Sequence, residues 1–391
     1  MRTLPLDHAV RNLGRSPLRT SLAIAAATLV ALLAAGGMGF SRGMSGSLGA
    51  SGLATNVILL GTGSEESLER SEIPPGVAEI VAASVDGLAR RREQAFVSPE
   101  VHVALPIGRD EGAGAGAGPV AIVRGVMAAA FLVHPQVRVI TGRAPEPGAD
   151  EAMVGGAAAA MLSAAGLEAA PGSTLVIAGR PFAVTGSFAA PGTVLDGEIW
   201  VPLAALKTLT QRATDSAVIV GLDTAELADL ETFAAIRTDL ELAAIGEADY
   251  YAELSRFLAP VRWLVSATAI LVSLGGLLAG LGTLDAIFAA RVREFGTLQA
   301  LGFRRRAIAL SMLTESLLVA SLGGLLAGAI AVVALDGLAV RSQMGSFAVE
   351  IGPAALATGL LAALVLAVLG TALPAFRCLR RPVPEALKAA G

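Results

Sequence analysis

Few side chains in this sequence could carry covalent or metal chemistry. There are two lysines, Lys207 and Lys388, each preceded by leucine. No G-x-x-x-x-G-K-[ST] phosphate loop is therefore present, and the chain does not bind ATP in that manner. The three histidines, His8, His102 and His134, show no metal-ligand spacing. Neither a G-x-S-x-G elbow nor an H-E-x-x-H helix occurs. The single cysteine, Cys378, cannot form an intrachain disulfide and reads as an incidental thiol near a basic C-terminus. Acids are plentiful, but no pair stands out for acid–base work. The expectation is no catalytic residue, no metal site and no cofactor in this chain.

The residues that do stand out are suited to contact. Residues 291–308, RVREFGTLQALGFRRRAI, lie between two long apolar segments. Phe288, Val292, Phe295 and Leu298 recur at helical steps, with Glu294 and Gln299 off that stripe. Gly302 ends the pattern, and Arg304, Arg305 and Arg306 follow, where cations suit a helix C-terminus. Such a helix either fixes topology as a basic loop or docks a cytoplasmic partner and takes force from it.

The flanking elements are membrane spans. The chain is 54% hydrophobic and 16% charged over 391 residues, too apolar for an ordinary soluble protein. Four stretches have the ~20 apolar residues that a bilayer crossing needs: 20–41, 261–290, 307–335 and 351–376. Basic residues cluster in the 1–19 flank (Arg2, Arg11, Arg15, Arg19), in 291–306, and in the 377–391 tail (Arg377, Arg380, Arg381, Lys388). The 336–350 loop has only Arg341. The positive-inside rule then puts both termini and 291–306 in the cytoplasm and 42–260 outside, in a multi-pass protein of the cell (inner or cytoplasmic) membrane. The run 20–41 with its small residues also fits a cleaved signal peptide, but it exceeds the usual core of about 7–15 residues, which favours an anchor. Leu6, Val10 and Leu13 among basic residues suit an interfacial amphipathic helix or a plain basic flank.

The outer segment has its own character. Residues 41–260 contain 14 Lys and Arg against 26 Asp and Glu, a net of −12, which argues against nucleic acid as a partner. Residues 41–55 are rich in Gly and Ser. Strands are expected at 56–60, 101–107, 120–123, 137–140, 174–178, 182–185 and 198–201, with helices at 74–89 and 157–165. The tract GAGAGAG at 112–118 reads as the tip of a hairpin. This is an α+β pattern. Residues 223–258 carry nine acids and a helical pattern, either a stalk running into the second span or a peripheral helix.

Two features sit inside the spans. The octapeptide SLGGLLAG occurs twice and sets Gly276 and Gly280, then Gly324 and Gly328, at GxxxG spacing. That spacing lets helices approach closely, although glycine is common in these spans. Glu315 lies about two turns into the third span, where snorkelling or pairing with Arg305 or Arg306 is preferred to a proton or substrate role.

The run Arg291-x-Arg293-Glu294-Phe295-Gly296-Thr297-Leu298-x-Ala300-Leu301-Gly302 resembles the signature of the FtsX-like permease family of ABC transporters. AIVRGV at 121–126, the 141–159 segment, GRPFAVTGSF at 179–188 and EIWVPLAAL at 198–206 are similar to the extracytoplasmic domain of MacB-like permeases. The likeness covers nearly the whole chain, apart from the glycine tract. It implies a membrane protein of four transmembrane α-helices, with a large α+β extracytoplasmic domain inserted between helices 1 and 2. It implies that Arg291, Arg293, Glu294, Phe295, Gly296, Leu298, Ala300, Leu301 and Gly302 couple to a cytoplasmic ABC ATPase subunit. Phe295 and Leu298 would fill a groove on that ATPase, with Arg293 and Glu294 at its edge. ATP and Mg belong to the partner. A second permease chain, identical or related, membrane lipid, and an adaptor or outer-membrane component complete the implied partners. The implied function is mechanotransmission, in which ATP-driven motion is passed outward for export or extraction of a substrate. Two other classes remain: a transmembrane regulator of an extracytoplasmic enzyme, and a membrane scaffold with no ATPase.

Overall fold

The computed structural model describes residues 17–109, 118–289, 292–342 and 345–380. The flank before residue 17, most of the glycine tract, Arg291 and the tail from 381 lie outside the described residues. The chain forms two compact units. One is helical (1–42, 260–338 and 349–391), and the other is an α/β unit (43–259 with 339–348).

Helix α1 (Pro17–Ser51) opens with proline, whose missing N–H costs nothing in a first turn. It continues through the Gly/Ser-rich stretch after residue 41 to Ser51. Glycine weakens a helix, but Met44, Leu48 and Ser51 are buried there, and packing overrides propensity.

The α/β unit follows: β1 (Asn56–Gly61), α2 (Val77–Ser84), β2 (Arg90–Arg91), β3 (Gln94–Ala95), β4 (Val97–Gly108), β5 (Val120–Val126), α3 (Ala130–Val133), β6 (Arg138–Gly142), β7 (Glu151–Gly155), α4 (Gly156–Ala164), β8 (Thr174–Ile177), β9 (Arg180–Ala189), β10 (Glu198–Pro202), α5 (Leu203–Thr210), β11 (Ala217–Gly221), α6 (Leu227–Ile236), β12 (Leu242–Gly246) and α7 (Glu247–Phe257). β4 and β5 form the expected hairpin, with Val101 opposite Gly125 and Pro106 opposite Val120. The pairings β4–β5–β10–β7–β9–β8 return to β4 and close a ring of six strands. β6 adds to β9, while β11, β1 and β12 extend from the first half of β4. Alternate residues of the ring strands, such as Val101, Val123, Val154, Ile199 and Val201, form one buried core with α4 and α5. A second core lies where α2 and α6 cover β1 and β11.

The expected stalk is shorter than 223–258. β12 interrupts it and pairs with β1, Val57 opposite Gly246. Because β1 is buried along its length, it requires a hydrogen-bonding partner on each edge. Only α7 is left to lead into the next membrane helix.

The remaining elements are α8 (Ala259–Ala289), α9 (Val292–Ala300), α10 (Arg305–Ala334), β13 (Ala339–Ser342), β14 (Gly345–Ala348) and α11 (Pro353–Arg380). α1, α8, α10 and α11 are each long and apolar enough to cross a bilayer. β13 and β14 pair as a hairpin within the loop after α10 and group with the α/β unit.

Candidate functional site

Helix α9 is seated by its apolar face. Val292 and Phe295, 2% and 3% exposed, pack with Ile308 and Met312 of α10 and with Ala375 and Leu379 of α11. The helix stops at Gly302, whose φ of +90° suits glycine. Phe303 N–H bonds Leu298 O at 3.1 Å and Gly302 N–H bonds Gln299 O at 3.0 Å, a Schellman ending with Leu298 and Phe303 packed alongside. Arg293, Glu294, Thr297, Ala300, Leu301 and Gly302 are exposed.

Two expectations change here. Phe295 was to fill a partner's groove, but its ring is used up inside the chain. Arg305 and Arg306 do not close the contact helix; they form the first turn of α10. Cations there oppose the helix dipole, so helix capping does not explain them.

A second constellation is buried in the α/β unit. Strand alternation puts Glu100 and His102 of β4 on one face with Arg124 of β5 and Glu198 and Trp200 of β10. Arg124 stands directly opposite His102 on one side and Trp200 on the other. Its guanidinium binds Glu198 through Nε and Nη2 at 2.6 and 2.7 Å, and Glu100 through Nη1 at 2.5 Å. Trp200 Nε1 donates to Glu198 at 2.9 Å, and Ser98 Oγ donates to Glu100 at 3.0 Å. His134, just after α3, lies with Nε2 3.1 Å from Glu100 Oε1 and Nδ1 3.9 Å from Glu247 Oε1. Glu247, the first residue of α7, accepts from Leu53 N–H at 3.0 Å and Asn56 Nδ2 at 2.9 Å. His102 Nε2 stands 3.5 Å from Glu100 Oε2, at ion-pair range but without hydrogen-bond alignment.

The protonation chemistry follows from burial and charge. Burial alone would raise the Glu100 carboxyl, but His134 and Arg124 outweigh it and hold it well below the usual range. Burial would lower Arg124, yet Glu198 and Glu100 hold its pKa well above normal. Burial, then the Arg124 charge, pushes His102 down, and burial pushes Glu247 up. Among the described residues, no group of His, Cys, Asp and Glu is arranged to hold a metal. The constellation is a charge-compensated joint in which the segment after α1, the start of α7 and three ring strands meet.

Two family models match the chain. A model of the FtsX-like permease C-terminal region matches residues 266–383, and a model of the MacB-like periplasmic core domain matches residues 20–239. The second match alone covers more than half of the chain. The chain belongs to the FtsX-like permeases with a MacB-like periplasmic core. No curated protein matches it. Among solved structures, the periplasmic region of MacB from Actinobacillus actinomycetemcomitans is similar at 11% identity, covering 52% of this chain and 93% of that one, with a TM-score of 0.39. The extracellular domain of the noncanonic ABC-type transporter YknZ from Gram-positive bacteria is similar at 17% identity, covering 49% and 99%, with a TM-score of 0.35.

In this permease the two histidines that looked scattered, His102 and His134, converge on Glu100. The available signal was alternation: EVHV at 100–103, Arg124 inside AIVRGV and Glu198 at the head of EIWV each place charge on one strand face. Alternation alone reads as a solvent face. Only the pairing of these strands, with α7 over them, makes the face internal.

Two of the four GxxxG glycines lie close against neighbouring helices of the chain. A Cβ on Gly276 would meet Val30 Cγ2 at 3.0 Å, and one on Gly324 would meet Leu360 Cδ1 at 2.7 Å. Gly328 has only Leu356 Cδ2 at 3.5 Å, and the side-chain surroundings of Gly280 lie outside the described residues. Approaches as close occur at two other glycines: an added Cβ would meet Ala27 Cβ at 2.7 Å from Gly323 and Ala31 O at 2.6 Å from Gly359, both on α1.

Proposed function

We propose that this permease takes up ATP-driven motion from a separate cytoplasmic ATPase at the exposed edge of α9. The motion passes along α8 and α7 to the α/β unit, where work is done on a substrate already outside. Family membership makes the chain a membrane component of an ABC-type system. The observation that carries the finer reading is α9 itself. It is anchored on α10 and α11 through Val292 and Phe295, while Arg293, Glu294, Thr297 and Leu301 remain exposed. A helix held this way transmits a push at its polar edge to two membrane helices. In this reading ATP and Mg are bound by the ATPase, a second permease chain completes the assembly, and both termini face the cytoplasm of the cell membrane.

The test is purification of the tagged chain in mild detergent, with mass spectrometry and an ATPase assay of what accompanies it. A stoichiometric soluble ATPase is expected. Inserted, folded chain without one returns the protein to a scaffold role. Substrate extracted from the membrane in an ATP-dependent way separates a transporter from a regulator of an outer enzyme.

A further inference from the structure

A groove of about 580 Å³ opens between α10 and α11 within the helical unit. Ala309, Leu310 and Leu313 form one wall, and Val368, Ala372 and Phe376 form the other. Leu310 and Phe376 are 58% and 56% exposed. Thr371, a polar residue in the lining, donates its hydroxyl to Ala367 O at 2.7 Å. Arg305 and Arg306, both exposed, stand at one end of the groove, and no carboxylate is found among the described residues that line it.

The shape and charge suit one class of ligand. Arg305 opens a membrane helix, so it sits at headgroup level. From Arg305 to Leu313 the groove follows about 12 Å of helix, most of one leaflet's hydrocarbon depth of about 15 Å. The small residues Ala309 and Ala372 leave the space that a chain of methylenes fills. We propose that this groove binds an anionic phospholipid, with one acyl chain between α10 and α11 and the phosphate held by Arg305 and Arg306. A second copy of the chain is a poorer occupant, because an isologous contact would set these arginines against their own copies. The groove also backs onto the seat of α9: Ala309, Ala375 and Leu379 line it and belong to the cluster that holds Val292 and Phe295. A bound lipid would therefore brace the contact helix from behind. This inference needs α10 and α11 to span a bilayer, and does not depend on an ATPase.

The full chain is reconstituted into phosphatidylcholine vesicles containing a little phosphatidylglycerol with a photoreactive diazirine on one acyl chain. A parallel sample carries the same diazirine on phosphatidylcholine. After irradiation, adducts are mapped by mass spectrometry. Phosphatidylglycerol adducts should concentrate at Leu310, Leu313 and Phe376, well above those of phosphatidylcholine. Each Arg→Gln change at Arg305 or Arg306 should reduce them about fivefold, the effect of one cation near an anionic headgroup, whereas Arg→Lys should retain them. Labelling spread evenly around α10 and α11, whatever the headgroup, would overturn the proposal in favour of ordinary boundary lipid. Cross-links between two copies in place of lipid adducts would overturn it in favour of a second chain. If the Gln variants do not insert, the headgroup comparison on the unaltered chain decides.

Discussion

The backbone N–H of Leu53 donates to Oε2 of Glu247 at 3.0 Å, across 194 residues of sequence. Leu53 lies just past the end of α1, and Glu247 begins the helix that leads into α8. One buried carboxylate therefore ties together the two ends at which the α/β unit joins its first two membrane helices. Its neighbours His134, Glu100 and Arg124 extend the tie into the ring strands. These contacts link both ends of the α/β unit to its own sheet through charge-assisted hydrogen bonds, which are short and directional.

Arg124 is shared by two buried carboxylates, so its loss leaves both without the guanidinium that they bind. Arg124→Ala should destabilise the α/β unit by about 3–5 kcal/mol, the usual effect of breaking a buried pair. Denaturant unfolding followed by Trp200 fluorescence, in a Trp263→Phe background, reads this directly. An unchanged midpoint would remove Arg124 from the joint.

Acid should act on this joint in two opposed ways. His102 and Glu100 have lowered pKa values in the folded chain. Their stabilisation is complete above their unfolded values of 6.5 and 4.5 and fades as pH falls below each in turn. Glu247 is raised, so its contribution is present below 4.5 and is lost as pH rises through its folded value. Glu247→Gln should therefore stabilise the chain at neutral pH relative to the parent, with the difference vanishing below pH 4.5. A difference that is the same at every pH would show that Glu247 does not titrate with folding.

The two edges of α9 should respond differently to mutation. Phe295→Ala removes a buried ring and should cost about 3–5 kcal/mol in thermal or denaturant stability. Glu294→Arg and Leu301→Asp alter only the exposed edge. Leu301→Asp should leave insertion and stability within about 0.5 kcal/mol of the parent, and both should uncouple ATP hydrolysis from outer-domain function. Leu298→Asp should do both, because Leu298 packs with Phe303 at the helix end. Normal coupling in all three edge variants would contradict the docking role.

Membrane glycines should rank by what surrounds them. Gly323→Ala and Gly359→Ala drive a methyl into α1 and should cost about 1–3 kcal/mol, the range for overpacking. Gly328→Ala meets only ordinary contact and should be nearly neutral. Melting of the purified chain in detergent checks the order, and equal shifts would contradict it.

Much of the fold was legible because its signals are local. Long apolar runs marked the four membrane helices, and alternation marked β4, β5 and β10. Gly302 marked the end of α9 because a left-handed residue is needed there. The joint was not legible, since its members come from residues 56, 100, 124, 134, 198 and 247, and burial of a charged face depends on which strands pair. β12 was missed because an acidic helical pattern surrounds LAAIG, and only the open edge of β1 recruits it as a strand. The resemblance implies an outward role for Phe295, and periodicity defines an apolar face without saying whether the chain itself covers it.

The most direct measurement is a site-specific cross-link from α9. A photoreactive residue at Leu301, 63% exposed, is compared with one at Leu325, 66% exposed on α10, in cells that express the intact assembly. The account predicts a covalent adduct with a soluble ATPase from position 301, lost on Glu294→Arg, and none from position 325. Folded, membrane-inserted chain that yields no ATPase adduct from position 301 would contradict it.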